Sequence, residues 1–167
     1  MRNPLFLAFA AAFLVIPMAL SAQSATITAT AEVIPPLTVA GARDLDFGEV
    51  IPGFPRSVAP DDASSGQWQI GGTGTYEVNL DFTLPSTLTD LASNALNISF
   101  GATDAAFGPD NTGTGVTNFD PTGGGQLANL TGGALWVYLG GTVTPGGSQP
   151  AGNYDAIVDL AVAYTGN

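Results

Sequence analysis

Carboxylates are the only side chains in this sequence suited to acid–base catalysis. The 167 residues contain no His, no Cys and no Lys, and their basic residues are Arg2, Arg43 and Arg56. An imidazole base, a thiol nucleophile and the usual zinc or iron ligands are therefore excluded. A Ser-His-Asp triad and a phosphate-binding loop that ends in Gly-Lys are excluded for the same reason. What remains is a set of fourteen Asp and Glu residues.

Some of these acids stand close enough in the sequence to be candidates for a glycosidase pair, which needs two carboxyl groups ~5 to 10 Å apart. The candidates are Asp61 with Asp62, Asp44 with Asp46, and Asp104 with Asp110. Solvated acids in turns and on strand faces produce the same pattern, and we favour that interpretation. Calcium is another use of such oxygens, but the loop at 110–113 lacks the regular Asp-x-Asx-x-Asx-Gly spacing. We therefore expect no enzyme, no metal site and no cofactor.

Three aromatic residues raise the possibility of a sugar-stacking platform. Trp68, Trp136 and Tyr138 all stand in apolar alternations. Such residues pack in a core more often than they bind a ligand, because each buries a large apolar surface. We expect core packing here.

Charge and composition narrow the range of partners. The formal net charge is −11, 10% of the residues are charged and 45% are hydrophobic. A chain this acidic cannot neutralise phosphates, so we expect no nucleic-acid partner. The high apolar fraction predicts a packed domain rather than a disordered acidic segment.

The first 24 residues have the layout of a secretory signal peptide. A positive start at Arg2 precedes an apolar run at 5–20 and small residues at 21–25. This order is typical of cleavable export signals. The run contains Pro17 and is shorter than the ~20 residues of a spanning helix, so we expect no membrane span in the mature chain. The predicted localisation is the periplasm and then the cell surface, or secretion.

Short alternating segments separated by Gly, Pro, Asn and Asp recur along the mature chain. The clearest is 76–82, and 134–139 is apolar on both faces as in a central strand; 45–51 also alternates. Seven to nine such strands predict an all-β fold, an immunoglobulin-like β-sandwich. A jelly roll or an open barrel would give a similar pattern.

The two ends of the mature chain have the most distinctive patterns. Residues 26–34 alternate, with Ile27, Ala29, Ala31 and Val33 on one face, and Pro35-Pro36 follows. We treat 25–36 as an N-terminal extension and 37–167 as the β-sandwich domain. The extension is either an edge strand of its own sheet or a donor strand that completes a neighbour's sheet.

The C-terminal segment 154–164 alternates in the same way. Gly152 precedes it, and Tyr164 stands 12 residues after that glycine. The apolar positions of one face include Tyr154, Val158, Leu160, Val162 and Tyr164.

Together these ends resemble the subunits of chaperone-usher pili, especially the cysteine-free branch of that family. Residues 45–48, Leu-Asp-Phe-Gly, also resemble a motif in a poorly characterised group of secreted bacterial domains. The resemblance implies an incomplete sandwich whose groove is edged by the C-terminal strand from Gly152 to Tyr164. Residues Ile27, Ala29, Ala31 and Val33 would then be donor-strand anchors. It also implies three kinds of partner, namely other copies or related subunits of one fibre, a periplasmic chaperone and an outer-membrane usher.

Three functions follow as expectations. The first is a structural subunit of a bacterial pilus or fimbria, assembled by donor-strand complementation. The alternative is a self-complemented secreted binding domain or adhesin that contacts a glycan or matrix. The third, a hydrolase that uses carboxylates alone, is the least favoured.

Overall fold

The computed structural model describes residues 23–166, and all of their regular structure is β-strand. The described residues contain twelve strands, more than the seven to nine predicted, and no helix. The strands are β1 Thr38–Arg43, β2 Arg56–Val58, β3 Gly66–Gly71, β4 Glu77–Thr83, β5 Thr87–Thr89, β6 Ala95–Ser99, β7 Ala105–Gly108, β8 Thr117–Phe119, β9 Gln126–Asn129, β10 Ala134–Leu139, β11 Gly141–Thr144 and β12 Asp159–Tyr164. The chain divides into two units, residues 1–32 and 33–167, and every strand belongs to the second.

The strands form three antiparallel sheets, each open at both edges. Their orders are β1-β3-β10-β7-β8, β2-β11-β6-β5 and β12-β4-β9. The arrangement is consistent with a β-sandwich, so the all-β prediction is confirmed. Strand β10 pairs with β3 on one side and β7 on the other, as predicted for a central strand.

Two apolar clusters form the core. The larger lies between the five-stranded and three-stranded sheets and includes Ile70, Leu80 and Val137. The smaller lies on the four-stranded sheet and consists of Phe47, Val58, Leu96, Ile98 and Val143. Alternation in β4 follows the prediction, since Val78 and Leu80 are buried and Phe82 is half-buried.

The prediction of a strand at 45–51 is wrong. The amide of Asp46 donates to the carbonyl of Ser64 at 2.9 Å, and the amide of Gly48 donates to Asp46 Oδ1 at 2.7 Å. These bonds make a turn at Gly48, whose φ is 63°. Burial nevertheless alternates as a strand would, with Leu45 half-buried and Phe47 buried. The alternation therefore identified the inward-facing residues correctly but predicted the wrong backbone conformation.

Both ends of the chain also differ from the strand prediction. The C-terminal strand begins only at Asp159, and residues 154–158 before it make one isolated bridge, between Asp155 and Thr89. Residues 26–34 form no strand in the structure. The predicted signal peptide, 1–24, lies outside the described residues apart from 23 and 24. Among the described residues no helix is long and apolar enough to cross a membrane.

A single glycine joins the five-stranded and four-stranded sheets. Gly140 lies between β10 and β11, and its amide donates to the carbonyl of Asp104 at 2.7 Å. A Cβ at Gly140 would lie 2.2 Å from the carbonyl oxygen of Val58. The neighbouring strand thus passes so close that no side chain fits.

We predict that Gly140→Ala destabilises the domain by about 1 to 3 kcal/mol, since the added methyl overpacks against backbone that cannot move aside. Gly147→Ala is the matched control, because a Cβ at Gly147 meets nothing within 4 Å. Urea unfolding followed by tryptophan fluorescence measures both. Equal midpoints for the two variants would contradict the prediction.

Candidate functional site

Two edge strands leave one side of the sandwich core uncovered. Among the described strands, β1 pairs only with β3, and β12 pairs only with β4. Val39 and Gly41 of β1 stand opposite Ile70 and Trp68, so they face inward. Even so, Val39 is 41% exposed, and every residue of β1 is exposed. The inner face of β1 is therefore solvent-exposed along its whole length.

The C-terminal strand shows the same incompleteness. Val158, Leu160, Val162 and Tyr164 are half-buried, and the residues between them are exposed. All four pack against the larger core cluster, as do the half-buried Trp68 and Phe82, whose rings meet edge to face at 5.6 Å. These side chains therefore keep part of their apolar surface open to solvent.

The two edges come together at Gly72. A Cβ at this glycine would lie 2.6 Å from Tyr164 Oη and 3.0 Å from Leu37 Cδ2. The amide of Thr73 donates to Tyr164 Oη at 3.2 Å, and the Tyr164 ring meets Tyr76 edge to face at 5.7 Å. The start of β1 and the end of β12 are therefore fixed side by side.

Away from Gly72 a cavity of about 1090 Å³, which we call the open groove, is lined by Gly41 and Arg43 at the end of β1 and by the segment that precedes β12. Its walls are the segments 41–52 and 149–158. Its floor is apolar and comes from the smaller core cluster, with Phe47, Leu96, Ile98 and Val143. The volume slightly exceeds that of ordinary ligand pockets, ~300 to 1,000 Å³. Two backbone segments of about ten residues each make it a channel that suits an extended peptide better than a compact ligand.

Hydrogen bonds hold the wall at 149–158 against the four-stranded sheet. Gln149 Nε2 donates to the carbonyl of Ala95 at 3.0 Å and to Tyr154 Oη at 2.9 Å. Tyr154 Oη donates to the carbonyl of Pro150 at 2.8 Å. Asp155 and Thr89 exchange two backbone bonds, of 3.0 and 3.1 Å. The irregular segment before β12 is thus anchored at several points.

The rim of the open groove is acidic. Asp44, Asp46, Glu49 and Asp155 line it, with Arg43 as the cation among its lining residues. Arg43 Nε donates to the carbonyl of Ser65 at 2.7 Å, and its Nη2 donates to Ser65 Oγ at 2.9 Å. The guanidinium is therefore engaged with a loop, and the rim has a surplus of negative charge.

The structure brings together part of the predicted interface. Gly152, Tyr154 and Val158 line the open groove, and Leu160, Val162 and Tyr164 continue from it along β12. The predicted donor residues Ile27, Ala29, Ala31 and Val33 are all exposed, Ile27 by 95% and Val33 by 93%. Sequence reasoning missed the wall at 41–52 and the floor. The signal for the floor was the alternation at 96–100, which marks inward residues without showing what they face.

Four of the six candidate catalytic acids, Asp46, Asp62, Asp104 and Asp110, accept hydrogen bonds within turns. Asp62 Oδ1 accepts from the Ser64 amide at 2.9 Å, and Asp104 Oδ2 accepts from the Gly101 amide at 2.8 Å. Asp110 Oδ1 accepts from the hydroxyl and the amide of Thr112, and these bonds lower the pKa of Asp110. Bonds from Thr122 lower the pKa of Asp120 in the same way. Within residues 23–166 no three acidic side chains converge as metal ligands would.

The aromatic residues do not form one platform. Trp68 stands opposite Val137, which is adjacent to Trp136 and Tyr138, so its ring is on the other face of the sheet. Tyr138 is buried, and its hydroxyl accepts from the Gly113 amide at 3.2 Å and donates to the carbonyl of Asp110. The loop at 108–116 therefore covers this face of the sheet. Trp68 instead lines the open groove.

Comparisons with known proteins do not identify a family. No protein-family model matches the chain, and no curated protein matches its sequence.

One turn beneath the groove wall contains a carboxyl group whose pKa is shifted. Asp90 accepts from Asn94 Nδ2 at 2.7 Å and from the amides of Asn94 and Ala92, and these bonds lower its pKa. A Cβ at Gly152 would lie 3.2 Å from Asp90 Oδ2, so the turn lies beneath the wall.

We predict that Asp90→Asn is less stable than the unmodified chain at pH 7 and that the difference shrinks in acid. A lowered folded-state pKa means that the carboxylate stabilises the fold above the unfolded value of ~3.9. That stabilisation is lost as pH falls through 4 toward the folded value. Urea midpoints from pH 7 to pH 2 test this. The control is Asp81→Asn, an exposed acid outside any such turn; a difference that did not depend on pH would contradict the assignment.

Proposed function

We propose that this protein is an exported structural subunit of a bacterial surface fibre, assembled by donor-strand exchange. In this proposal residues 26–34 of one copy occupy the open groove of the next. The single observation that carries it is the open groove itself, a cavity with an apolar floor that lies beside the end of β1 and the segment that precedes β12. Exposed apolar surface beside unpaired strand edges favours the addition of a strand.

The N-terminal extension supplies a segment of the right kind. It alternates over nine residues, forms no strand in the structure and exposes its apolar positions. Nine extended residues span ~30 Å at ~3.3 Å each. The flanking Pro35-Pro36 limits continuation of the ladder, because proline has no amide to donate. The extension therefore offers an exposed apolar face.

Exchange between copies gives an open chain of subunits. The extension and the open groove are different surfaces of one molecule, so each copy uses one to bind its predecessor and the other to receive its successor. Head-to-tail contacts of this type produce filaments when their rotation does not close a ring. Burial of Ile27 and Val33 is worth ~1.5 to 3 kcal/mol each, and ladder hydrogen bonds add to it.

Export and the partners implied by the family resemblance belong to the same proposal. A subunit with an uncovered core side would aggregate before assembly unless another strand covered it in transit. A periplasmic chaperone that lends a strand, and an outer-membrane usher that exchanges it, would meet this need.

We predict that Ile27→Asp with Val33→Asp abolishes oligomers that survive mild detergent without heating. A charge placed in an apolar groove without a partner costs more than the contact gains. Ala25→Asp with Thr26→Asp is the matched control, since it adds the same two charges at the start of the extension, before the first anchor.

Unheated gel electrophoresis and size-exclusion chromatography of the mature protein distinguish the outcomes. A ladder in the control and a single band in the anchor variant support the proposal. A ladder in both variants refutes it. A monomer at every concentration in the unmodified chain would favour the self-complemented binding domain.

We also predict that assembly speeds up with salt. Without the signal peptide each chain has two Arg against fourteen acids, a formal charge of −12, and the groove rim is acidic. Repulsion slows the approach of two such chains, and salt screens it, with a Debye length of ~30 Å at 10 mM and ~8 Å at 150 mM. Light scattering at 10 and 150 mM NaCl should show at least a severalfold faster rise at the higher salt.

Charge variants test whether the acidic rim causes the salt dependence. Asp44→Asn with Glu49→Gln removes two charges from the rim, and Asp61→Asn with Asp81→Asn removes two charges elsewhere. The rim variant should lose more of the salt dependence than the control. A rate that does not change with salt would contradict the prediction.

A further inference from the structure

The structure exposes large apolar side chains at the mouth of the open groove. Within the described residues the exposed large apolar side chains are Ile27, Val33, Val39, Ile51, Phe54, Leu91, Leu127 and Ile157. Ile51 and Ile157 line the open groove, one from each wall, and are 67% and 80% exposed. Single exposed apolar residues need no explanation, but a pair on facing walls of one channel does.

The local backbone holds both residues in place without burying them. The carbonyl of Ile51 accepts from the amide of Phe54 at 3.0 Å, and the amide of Gly53 donates to the carbonyl of Pro145 at 3.3 Å. These bonds fix the turn that carries Ile51. Ile157 follows the anchored Asp155 and precedes the half-buried Val158. Each side chain is thus presented at the rim by an ordered wall.

The proposed occupant has small anchors in its middle, and contacts from Ile51 and Ile157 would compensate for them. Its two middle anchors are Ala29 and Ala31, which bury little apolar area on the groove floor. Its outward face has Thr28 and Thr30, whose methyl groups are apolar. Side chains that reach over the strand from the rim would bury those methyl groups and exclude water from the ladder.

We infer that Ile51 and Ile157 close over residues 26–34 of a second copy and limit the rate at which that strand dissociates. We call these two residues the lips of the open groove. This inference rests on the proposed function and names the residues that retain the occupant. Side chains at the mouth of the groove would then contribute to binding strength together with those on its floor.

The test measures dissociation of a labelled peptide of residues 25–36. The acceptor is the full mature chain with Ile27→Asp and Val33→Asp, whose own extension cannot compete. Ile51→Ser and Ile157→Ser are made in this acceptor, with Leu91→Ser as the matched control because Leu91 is fully exposed and lies outside the groove lining. Each lip variant should release the peptide at least about tenfold faster, and the control should stay within about twofold.

Conservative variants and melting temperatures distinguish weaker retention of the peptide from misfolding of the acceptor. Ile51→Leu and Ile157→Leu keep the apolar lips and should retain slow release. All variants should keep the acceptor's melting temperature, because the substituted side chains are exposed. Equal release from the acceptor, the lip variants and the control overturns the inference but leaves the proposed function intact. Failure of the peptide to bind the acceptor at all refutes the proposed function itself.

Discussion

The central constraint on this structure is the pair of unpaired edges at β1 and β12. An edge strand leaves a row of amides and carbonyls without partners, and here the side chains between the two edges also lack a covering layer. The fold resolves the conflict at one end only, where Tyr164 and Leu37 meet over Gly72. Toward the other end the walls separate into the open groove.

Strands that the sequence predicted well are those whose partners lie on both sides. The alternation in β4 and the two-faced apolar run of β10 correctly indicated a half-buried strand and a central one. Residues 45–51 have an equally clear alternation but form a turn, because Asp46 accepts from the Gly48 amide and its own amide bonds to Ser64. Periodicity reports which side chains face inward; it does not report where the backbone hydrogen bonds go.

The candidate site was only half predictable for a related reason. Gly152, Tyr154 and Val158 belong to one continuous segment, so their spacing marks them in the sequence. The floor combines Phe47, Leu96, Ile98 and Val143, which are far apart in the chain and meet only through the order of the strands. The acids were visible as a class, yet their use as acceptors within tight turns depends on local backbone geometry.

The link at Gly140 has a mechanical consequence. Strands β10 and β11 are separated by this one residue, and they belong to different sheets. No loop separates these two strands. A force on β10 would therefore be transmitted directly to β11 in the four-stranded sheet, and from there to the floor of the open groove. We therefore expect the two sheets to share a mechanical load that is applied to either one.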